Sequence, residues 1–376
     1  MTRRDPELIF ARKDTQRAGF LEYARIVKGE IDLALPIYFD DLERTSQLDF
    51  LAKDVAPVIG ALRALVERGG KRLRGVLLAA AHEGCGGKDR APILSALVSF
   101  ELLQGYLLTH DDWIDQDEVR RGGPTVHAAL RAHFDTAREA EIFAVLAGDF
   151  AAALSLRALC TCPLPEERIA RASRAMGDML RNVVLGQMYD VRGSVERHRG
   201  QHDQMRDAID RVYELKTASY TAWGPLTIGA TLAGATDAQT QSLAAIARPL
   251  GILFQLKDDL LGVYGDPKIT GKSDSSDLRQ GKFTALIVEA STDPKVIEEL
   301  SLLRSASASP TANVDAAALI ESLRDRITRS GARTRIEERI AKLLDEATIA
   351  IDAAELTDNG KNLLLGAAAA LGGRNQ

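Results

Sequence analysis

Three acidic side chains stand close together in the segment Asp111-Asp112-Trp113-Ile114-Asp115. On a helix, Asp111 and Asp115 lie four residues apart and therefore project from one face. Like charges at that spacing destabilise the helix, and Asp112 adds to the repulsion. A hard cation relieves it, because Mg²⁺ takes oxygen ligands and commonly combines one or two carboxylates with substrate phosphate oxygens. The segment predicts a magnesium site, with a solvated acidic surface as the alternative.

A second acidic pair, Asp258-Asp259, lies in another apolar helical segment that begins at Phe254. Bundle proteins commonly build sites from side chains on facing helices. The two acidic clusters, facing each other across a bundle, would form a site for several metal ions and a diphosphate.

Basic residues accompany the acids. Gly69-Gly70-Lys71-Arg72-Leu73-Arg74 is predicted to open a helix, which would put Lys71 and Arg74 on one face at three-residue spacing. Guanidinium and ammonium groups suit phosphate oxygens. Each residue alone is typical of a surface charge, but together they predict two diphosphate sites, one held by metal and the other directly by cations. The remaining members are Arg120, Arg121, Lys216, Lys272 and Lys282.

The elements that must position these residues are helices. Apolar residues recur at three- and four-residue spacing, strand patterns are scarce, and aromatic residues make up only 5% of the chain. Segments 91–108 and 143–159 are apolar on nearly all sides, as expected of helices inside a bundle. We therefore predict an all-α fold with one large domain, residues 33–376, preceded by an N-terminal arm or helix, residues 1–32.

Bulk properties narrow the class of protein. The net charge of -5 and the pI of about 5.8 argue against nucleic acid as the main partner. Cys85, Cys160 and Cys162 form neither an even disulfide framework nor a zinc-like pair. We expect no signal peptide, since no apolar segment follows the first residues, and no run near the ~18 apolar residues of a membrane span. We therefore expect a cytoplasmic location.

The ordered set of motifs resembles the trans-isoprenyl diphosphate synthases, also called polyprenyl synthetases, from about Gly69 to Ala285. The chain is most similar in pattern to a short-chain geranylgeranyl diphosphate synthase. The matching segments are Gly70-Lys71-Arg72-Leu73-Arg74, His110 to Asp115, Arg120 to His127, Gly148-Asp149, Gly186 to Asp190, Lys216-Thr217, Phe254 to Asp259, Gly271-Lys272, Asp277-Leu278-Arg279 and Gly281-Lys282.

The resemblance implies a homodimer of helical subunits, each with a deep central cavity. It also assigns roles to residues. Asp111, Asp115 and Asp258 would bind a cluster of about three Mg²⁺ ions at the allylic diphosphate, with Asp112 and Asp259 in support. Arg120, Lys216, Lys272 and Lys282 would contact the allylic diphosphate, and Lys71, Arg74, Gln104 and Arg121 would hold isopentenyl diphosphate. Thr217 and Gln255 would face the allylic carbon, whether the primer is dimethylallyl, geranyl or farnesyl diphosphate.

The implied reaction is ionisation, condensation and proton loss, with metal and cationic side chains stabilising the departing diphosphate. The chain departs from the family pattern at one position. The second motif commonly ends in a third Asp where this sequence has Gly262, and Asp266 is the nearest later acid. This departure puts the affinity for metal in question.

Tyr106 lies five residues before Asp111, or roughly 7–8 Å along a helix axis. In the resembled family, side chains on this helix form the floor of the product cavity. Tyr106, with Leu103 and Leu107, therefore predicts a C20 product, geranylgeranyl diphosphate. Farnesyl diphosphate or a longer polyprenyl product remains the alternative, as does Tyr106 as a simple core aromatic.

Three other classes remain open. A class I terpene cyclase shares the first motif, but its second metal pattern is absent after Asp258. A metal-dependent phosphohydrolase is suggested by His110-Asp111, although the other histidines form no convincing ligand set. A catalytically weak regulatory subunit of a heteromeric synthase is the non-enzyme alternative, although both aspartate pairs are intact.

Overall fold

The structure is a computed structural model that describes residues 6–45, 52–265, 276–308 and 315–373. The chain is 82% helical, with almost no strand in the described ranges, which confirms the predicted all-α class. A small antiparallel ribbon joins β1, Val119–Arg120, to β2, Gly123–Pro124. It follows the first aspartate cluster directly.

The helices before residue 265 are labelled α1 to α10. They are α1 Pro6–Thr45, α2 Ala52–Glu67, α3 Leu73–Gly84, α4 Leu94–Ile114, α5 Val126–Leu130, α6 Ala137–Cys160, α7 Glu166–Val191, α8 His202–Val212, α9 Gly224–Ala233 and α10 Asp237–Tyr264. Short 3-10 turns occupy Ala91–Ile93 and Glu196–His198. The later helices are Ser276–Arg279, Ala285–Ala290, Pro294–Ala308, Ala316–Arg329, Ala332–Ala353 and Asp358–Gly372.

Helix α4 is central to the bundle and carries the first aspartate cluster at its C-terminal end. Its residues from Ala96 to Leu103 are all buried, and it packs against α6, α3, α2 and α1. By length and composition alone, Ala91–Ile114 and Ala137–Cys160 could cross a membrane. The two helices pack against each other inside the bundle, as core helices of that composition do.

A continuous helical run extends from α8 to α9, and its middle, Tyr213–Trp223, is π-helical. This segment packs against α7 and α10. π-Helical turns are rare and occur frequently at functional sites, because the extra residue in each turn changes which side chains share a face. The segment contains Lys216 and Thr217.

Helix α1 runs unbroken through residue 33, the predicted start of the synthase domain. Val27 and Ile31 before that point are buried as fully as Leu35 and Phe39 after it. The first helix also packs along the C-terminal helix Asp358–Gly372. The division into residues 1–32 and 33–376 stays a prediction, but the described part of the arm is a helix packed onto the bundle.

Candidate functional site

The first aspartate cluster meets two lysines at the end of α4. Asp111 accepts a hydrogen bond from Nε2 of Gln187 at 3.1 Å, and Nζ of Lys216 lies 3.4 Å from its carboxylate. Asp115 accepts from Nζ of Lys282 at 2.6 Å. Burial raises the pKa of Asp111, but the nearby lysines outweigh it and hold this pKa below its usual value. Both carboxylates thus line the cavity next to lysine ammonium groups, which suit anionic oxygens.

Asp112 points into the protein. It is fully buried, and Nε of Arg120 donates to its Oδ1 at 2.7 Å. The same guanidinium donates to Asp117 at 2.8 Å. Burial raises the pKa of Asp112 to about 6, against the opposing attraction of Arg120. Asp112 therefore anchors Arg120, which itself lines the cavity, and it is not part of the cavity wall.

The second aspartate pair divides in the same way. Asp258 lines the cavity across from the first cluster, whereas Asp259 is buried. Asp259 accepts hydrogen bonds from the hydroxyl of Tyr213 and from Nε2 of Gln255, the latter at 2.8 Å. Burial raises the pKa of Asp259 to about 7, although both hydrogen bonds oppose the rise. Its contacts tie α10 to the start of the π-helical segment.

Two glycines allow α7 and α10 to clamp the π-helical segment. An ideal Cβ at Gly186 would lie 2.5 Å from the backbone nitrogen of Lys216, and one at Gly251 would lie 2.4 Å from Cα of Ala218. Any larger residue would push the segment away. Its position brings Lys216 within 2.9 Å of Asp190 and lets Thr217 donate to Oε1 of Gln255 at 2.7 Å.

The second basic group lines a cavity of about 690 Å³ with Asp111, Asp115 and Asp258. Lys71, Arg74 and Arg121 all belong to its wall. The predicted helix, however, begins only at Leu73, because Arg72 takes a left-handed backbone conformation with φ 48. Lys71 and Arg74 therefore do not share a helix face, and the turn at Arg72 brings them to the same cavity instead.

Tyr220 joins the two halves of the site. The guanidinium of Arg74 lies 4.0 Å from the centre of the Tyr220 ring and donates to Oγ1 of Thr221 at 3.1 Å. The hydroxyl of Tyr220 donates to Oε1 of Gln104 at 2.8 Å. Arg74 and Gln104 are both predicted to bind isopentenyl diphosphate, and Tyr220 of the π-helical segment contacts both of them.

An adjoining cavity of about 800 Å³ shares Arg74, Asp111, Arg120 and Asp258 with the first and has a more apolar wall elsewhere. Tyr106 and Leu107 of α4 line it, and the Tyr106 ring packs edge-on against His110 at 4.8 Å between centres. Leu103 is fully buried in the core and is not part of this wall. The other apolar lining residues include Val183, Val184, Met188 and Val191 of α7. The cavity therefore offers an apolar compartment behind a charged mouth.

The charged cavity could bind a hard divalent cation, since Asp111, Asp115 and Asp258 in its wall offer carboxylate oxygens as ligands. Within the described ranges, no group of three or more His, Cys, Asp or Glu side chains is close enough to hold a metal ion by itself. A cation at this site would therefore complete its coordination with water and with oxygens of a bound anion, as Mg²⁺ commonly does.

Two of the predicted residues are not described by the structure, and several residues of the site were not predicted. Lys272 and Asp266 lie outside the described residues. Near Gly262, Asp277 takes the space that a side chain would need. Sequence reasoning gave no role to Tyr213 or Tyr220. Gln187 and Asp190 also had no role, although the matched segment from Gly186 to Asp190 contained both.

Comparisons with known proteins agree with this geometry. Residues 57–320 match the family described as Polyprenyl synthetase. A (2E,6E)-farnesyl diphosphate synthase of Mycobacterium bovis is 37% identical over 215 residues, 57% of this chain. That alignment spans only 55% of the relative's own length. A geranylgeranyl diphosphate synthase of Mycobacterium tuberculosis is 33% identical over 283 residues, covering 73% of this chain and 75% of the relative.

A solved structure extends the likeness to nearly the whole chain. Geranylgeranyl pyrophosphate synthase from Corynebacterium glutamicum, complexed with isoprenyl diphosphate and magnesium, superposes with a TM-score of 0.80 at 30% identity. The superposition covers 93% of this chain and 98% of that structure. With the family match, the ordered motifs and the shared helical fold all in agreement, the chain belongs to the polyprenyl synthetase family.

Proposed function

We propose that this chain is a magnesium-dependent short-chain prenyltransferase that condenses isopentenyl diphosphate with an allylic diphosphate. The observation that carries the proposal is the set of charged residues that two adjoining cavities share. The aspartates pair with Lys216 and Lys282, and Lys71, Arg74 and Arg121 line the same cavity as the aspartates. An apolar compartment of about 800 Å³ adjoins both groups and suits a hydrocarbon tail.

The allylic diphosphate would bind at the aspartate side. Asp111, Asp115 and Asp258 would hold Mg²⁺, which when bound supplies positive charge for the departing diphosphate. Lys216 and Lys282 already pair with Asp111 and Asp115, so they lie where they could donate to diphosphate oxygens once cations neutralise the carboxylates. Arg120, which is fixed by Asp112, would add a guanidinium to the same anion.

Isopentenyl diphosphate would bind to Lys71, Arg74 and Arg121, with Gln104 beside them. Leaving-group departure from the allylic substrate generates a carbocation, and the double bond of isopentenyl diphosphate attacks it. Thr217 and Gln255, hydrogen-bonded to each other, line the apolar cavity with Asp111 and Asp258 and would direct oxygen dipoles toward that cation. The adduct then loses a proton to the released diphosphate, so no side chain acts as a nucleophile.

The product we propose is geranylgeranyl diphosphate. Tyr106 stands in the cavity wall on the helix that carries Asp111, and it would stop the growing chain there. Relatives of this chain carry the names of both farnesyl and geranylgeranyl diphosphate synthases, so the C15 product is the second candidate.

We also propose that the active form is a cytoplasmic homodimer. Helices α6 and α7 pack together and expose large apolar side chains, among them Leu146 (52% exposed) and Met188 (61% exposed). Met188 also lines the apolar cavity, so a second copy on this surface would shield the cavity from water. Light scattering of the purified protein tests the dimer, and a monomer at micromolar concentration contradicts it.

Incubation of the purified chain with isopentenyl diphosphate, each allylic primer and Mg²⁺ tests the proposed activity. We expect longer prenyl diphosphates that disappear in EDTA and in Asp111→Asn. Cyclic hydrocarbon would indicate a terpene cyclase, and free phosphate from the primer alone would indicate a phosphohydrolase. No turnover by the chain alone, with turnover only beside a second synthase, would indicate a regulatory subunit.

A further inference from the structure

Arg72 is the basic residue of the Gly70 to Arg74 segment whose side chain is buried in the protein. Arg72 borders the same cavity as Lys71 and Arg74, but its side chain is only 1% exposed and its guanidinium is occupied by protein partners. Its backbone has φ 48, a left-handed conformation that costs energy for a residue with a Cβ. A strained, buried arginine at this point requires a structural reason.

The contacts of Arg72 supply that reason. Its Nε donates to Asp32 of α1 at 2.8 Å, and its Nη1 donates to Glu101 of α4 at 2.7 Å. Nη2 donates to the carbonyl oxygen of Val66, near the end of α2, at 3.0 Å. One guanidinium thus joins three helices and fixes the turn in which Lys71 precedes α3 and Arg74 lies within its first turn.

Charge gives the same residue a second effect. Glu101 is 4% exposed, yet it is part of the wall of the basic cavity beside Arg74 and Arg121. Burial lowers the pKa of Arg121, while Glu101 raises it, so the guanidinium of Arg121 interacts electrostatically with the Glu101 carboxylate. If Arg72 did not neutralise Glu101, the carboxylate would attract Arg121 in the same wall and leave it less available to an anionic ligand.

We propose that Arg72, held by Asp32 and Glu101, is a positioning residue for the second diphosphate subsite, and that helix α1 supports this subsite through Asp32. The inference rests on the proposed function, because it assumes that Lys71, Arg74 and Arg121 bind isopentenyl diphosphate. It gives the N-terminal helix a specific part in substrate affinity, distinct from its packing in the core.

Steady-state kinetics with one substrate varied at saturation of the other tests the proposal. We expect Arg72→Met to raise the KM for isopentenyl diphosphate about tenfold or more, since small misplacements of binding groups have effects of that order. The KM for the allylic substrate should stay within about twofold, because its cations lie on other elements. Arg72→Lys, which keeps the charge but not the planar fork, should fall between Arg72→Met and the parent.

Two further variants keep the test decisive if Arg72→Met folds poorly by circular dichroism. Asp32→Asn removes the charge of a carboxylate that is 33% exposed, which weakens its contacts with Arg72 and with Lys28 of α1 and leaves the Arg72–Glu101 pair intact. It should raise the KM for isopentenyl diphosphate about threefold, as expected for the loss of one hydrogen-bonded charge. Glu101→Gln added to Arg72→Met should recover part of the lost affinity, because the competing carboxylate is gone.

Arg63 offers a matched control. It also ties α1 to α2, through Asp40 and Glu43, and pairs with Glu67 of its own helix, but it lines neither cavity. Arg63→Met should leave both KM values unchanged. Equal rises in both KM values for Arg72→Met, or an unchanged KM for isopentenyl diphosphate in both Arg72→Met and Asp32→Asn, would overturn the proposal.

Lys71→Met and Arg74→Met separate this inference from the proposed function. If both raise the KM for isopentenyl diphosphate while Arg72→Met and Asp32→Asn do not, the positioning role is wrong and the subsite assignment stands. If Lys71→Met and Arg74→Met also leave that KM unchanged, the subsite assignment fails, and the role of Arg72 fails with it.

Discussion

Oδ2 of Asp277 occupies the space beside Gly262, where an ideal Cβ would lie only 2.4 Å from it. Gly262 is the position at which the second aspartate motif commonly carries its third Asp. Asp277 lines the cavity with Asp258, so a carboxylate reaches this region from the helix Ser276–Arg279 instead of from α10.

Gly262→Asp should therefore reduce activity and not improve it. The new side chain would collide with Asp277 and add a like charge, which should raise the Mg²⁺ concentration for half-maximal activity about tenfold or more. Gly262→Ala tests the steric part alone and should show a smaller rise. The double variant Gly262→Asp with Asp277→Gly should recover activity, and a Mg²⁺ requirement unchanged in Gly262→Asp would contradict this account.

Tyr106→Ala should lengthen the product. Removal of the ring opens the wall of the apolar cavity next to His110, so that at least one more isoprene unit fits. Chromatography of the dephosphorylated products measures the change, and Tyr106→Phe, which keeps the ring, serves as the control. If the alanine variant makes the parent product, the chain is stopped elsewhere.

Gly186→Ala should impair turnover by displacing Lys216. The added methyl group would lie 2.5 Å from the backbone nitrogen of Lys216, so α7 and the π-helical segment must separate. A shift of about 1 Å at a binding group lowers turnover on the order of 10²-fold. The rate constant kcat should therefore fall while the protein remains folded.

Gly177→Ala is the matched control, because it lies on the same helix and an ideal Cβ there meets nothing within 4 Å. Removing a helical glycine at such a site should stabilise the protein by about 0.4–1 kcal/mol and leave kcat unchanged. Equal kcat values for the two variants would contradict the clamp.

His82 should make the protein less stable in acid. It is 5% exposed and packs on Gly87, and burial lowers its pKa below the usual value. As pH falls through about 6.5, the unfolded chain binds a proton at His82 before the folded protein does. The free energy of unfolding therefore decreases with falling pH until the folded pKa is reached. Chemical denaturation at pH values from about 7.5 to about 5 measures how the free energy of unfolding changes with pH on either side of about 6.5.

His82→Gln should flatten that pH dependence by up to one proton, or about 1.4 kcal/mol per pH unit. His133, which is exposed, provides the control, since His133→Gln should keep the parent slope. A slope in His82→Gln equal to that of the parent would exclude this histidine as the cause.

Much of this site could be predicted from the sequence because its chemistry depends on residue type. Charged residues in an apolar helical context need a partner, and the aspartate pairs together with the family resemblance predicted the shared cavity that Asp111, Asp258 and Lys282 line. The all-α class and the family followed from the same pattern, and both are confirmed.

The rest depended on tertiary contacts that the pattern does not encode. Asp112 and Asp259 look identical to Asp111 and Asp258 in sequence, yet each is buried as an anchor for a neighbour. The left-handed turn at Arg72 requires Asp32, 40 residues earlier, to hold it. Local propensity cannot anticipate partners at that separation.

The π-helical segment has a consequence for how this family member can change. An α-helix rotates by about 100° per residue and a π-helix by less, so relaxation of Tyr213–Trp223 to ordinary helix would change the direction of the side chains within the segment. Tyr220 and Thr221 would then lose their contacts with Arg74 and Gln104 together. An insertion or deletion that changed the helix type of this segment would therefore alter several contacts of the site together.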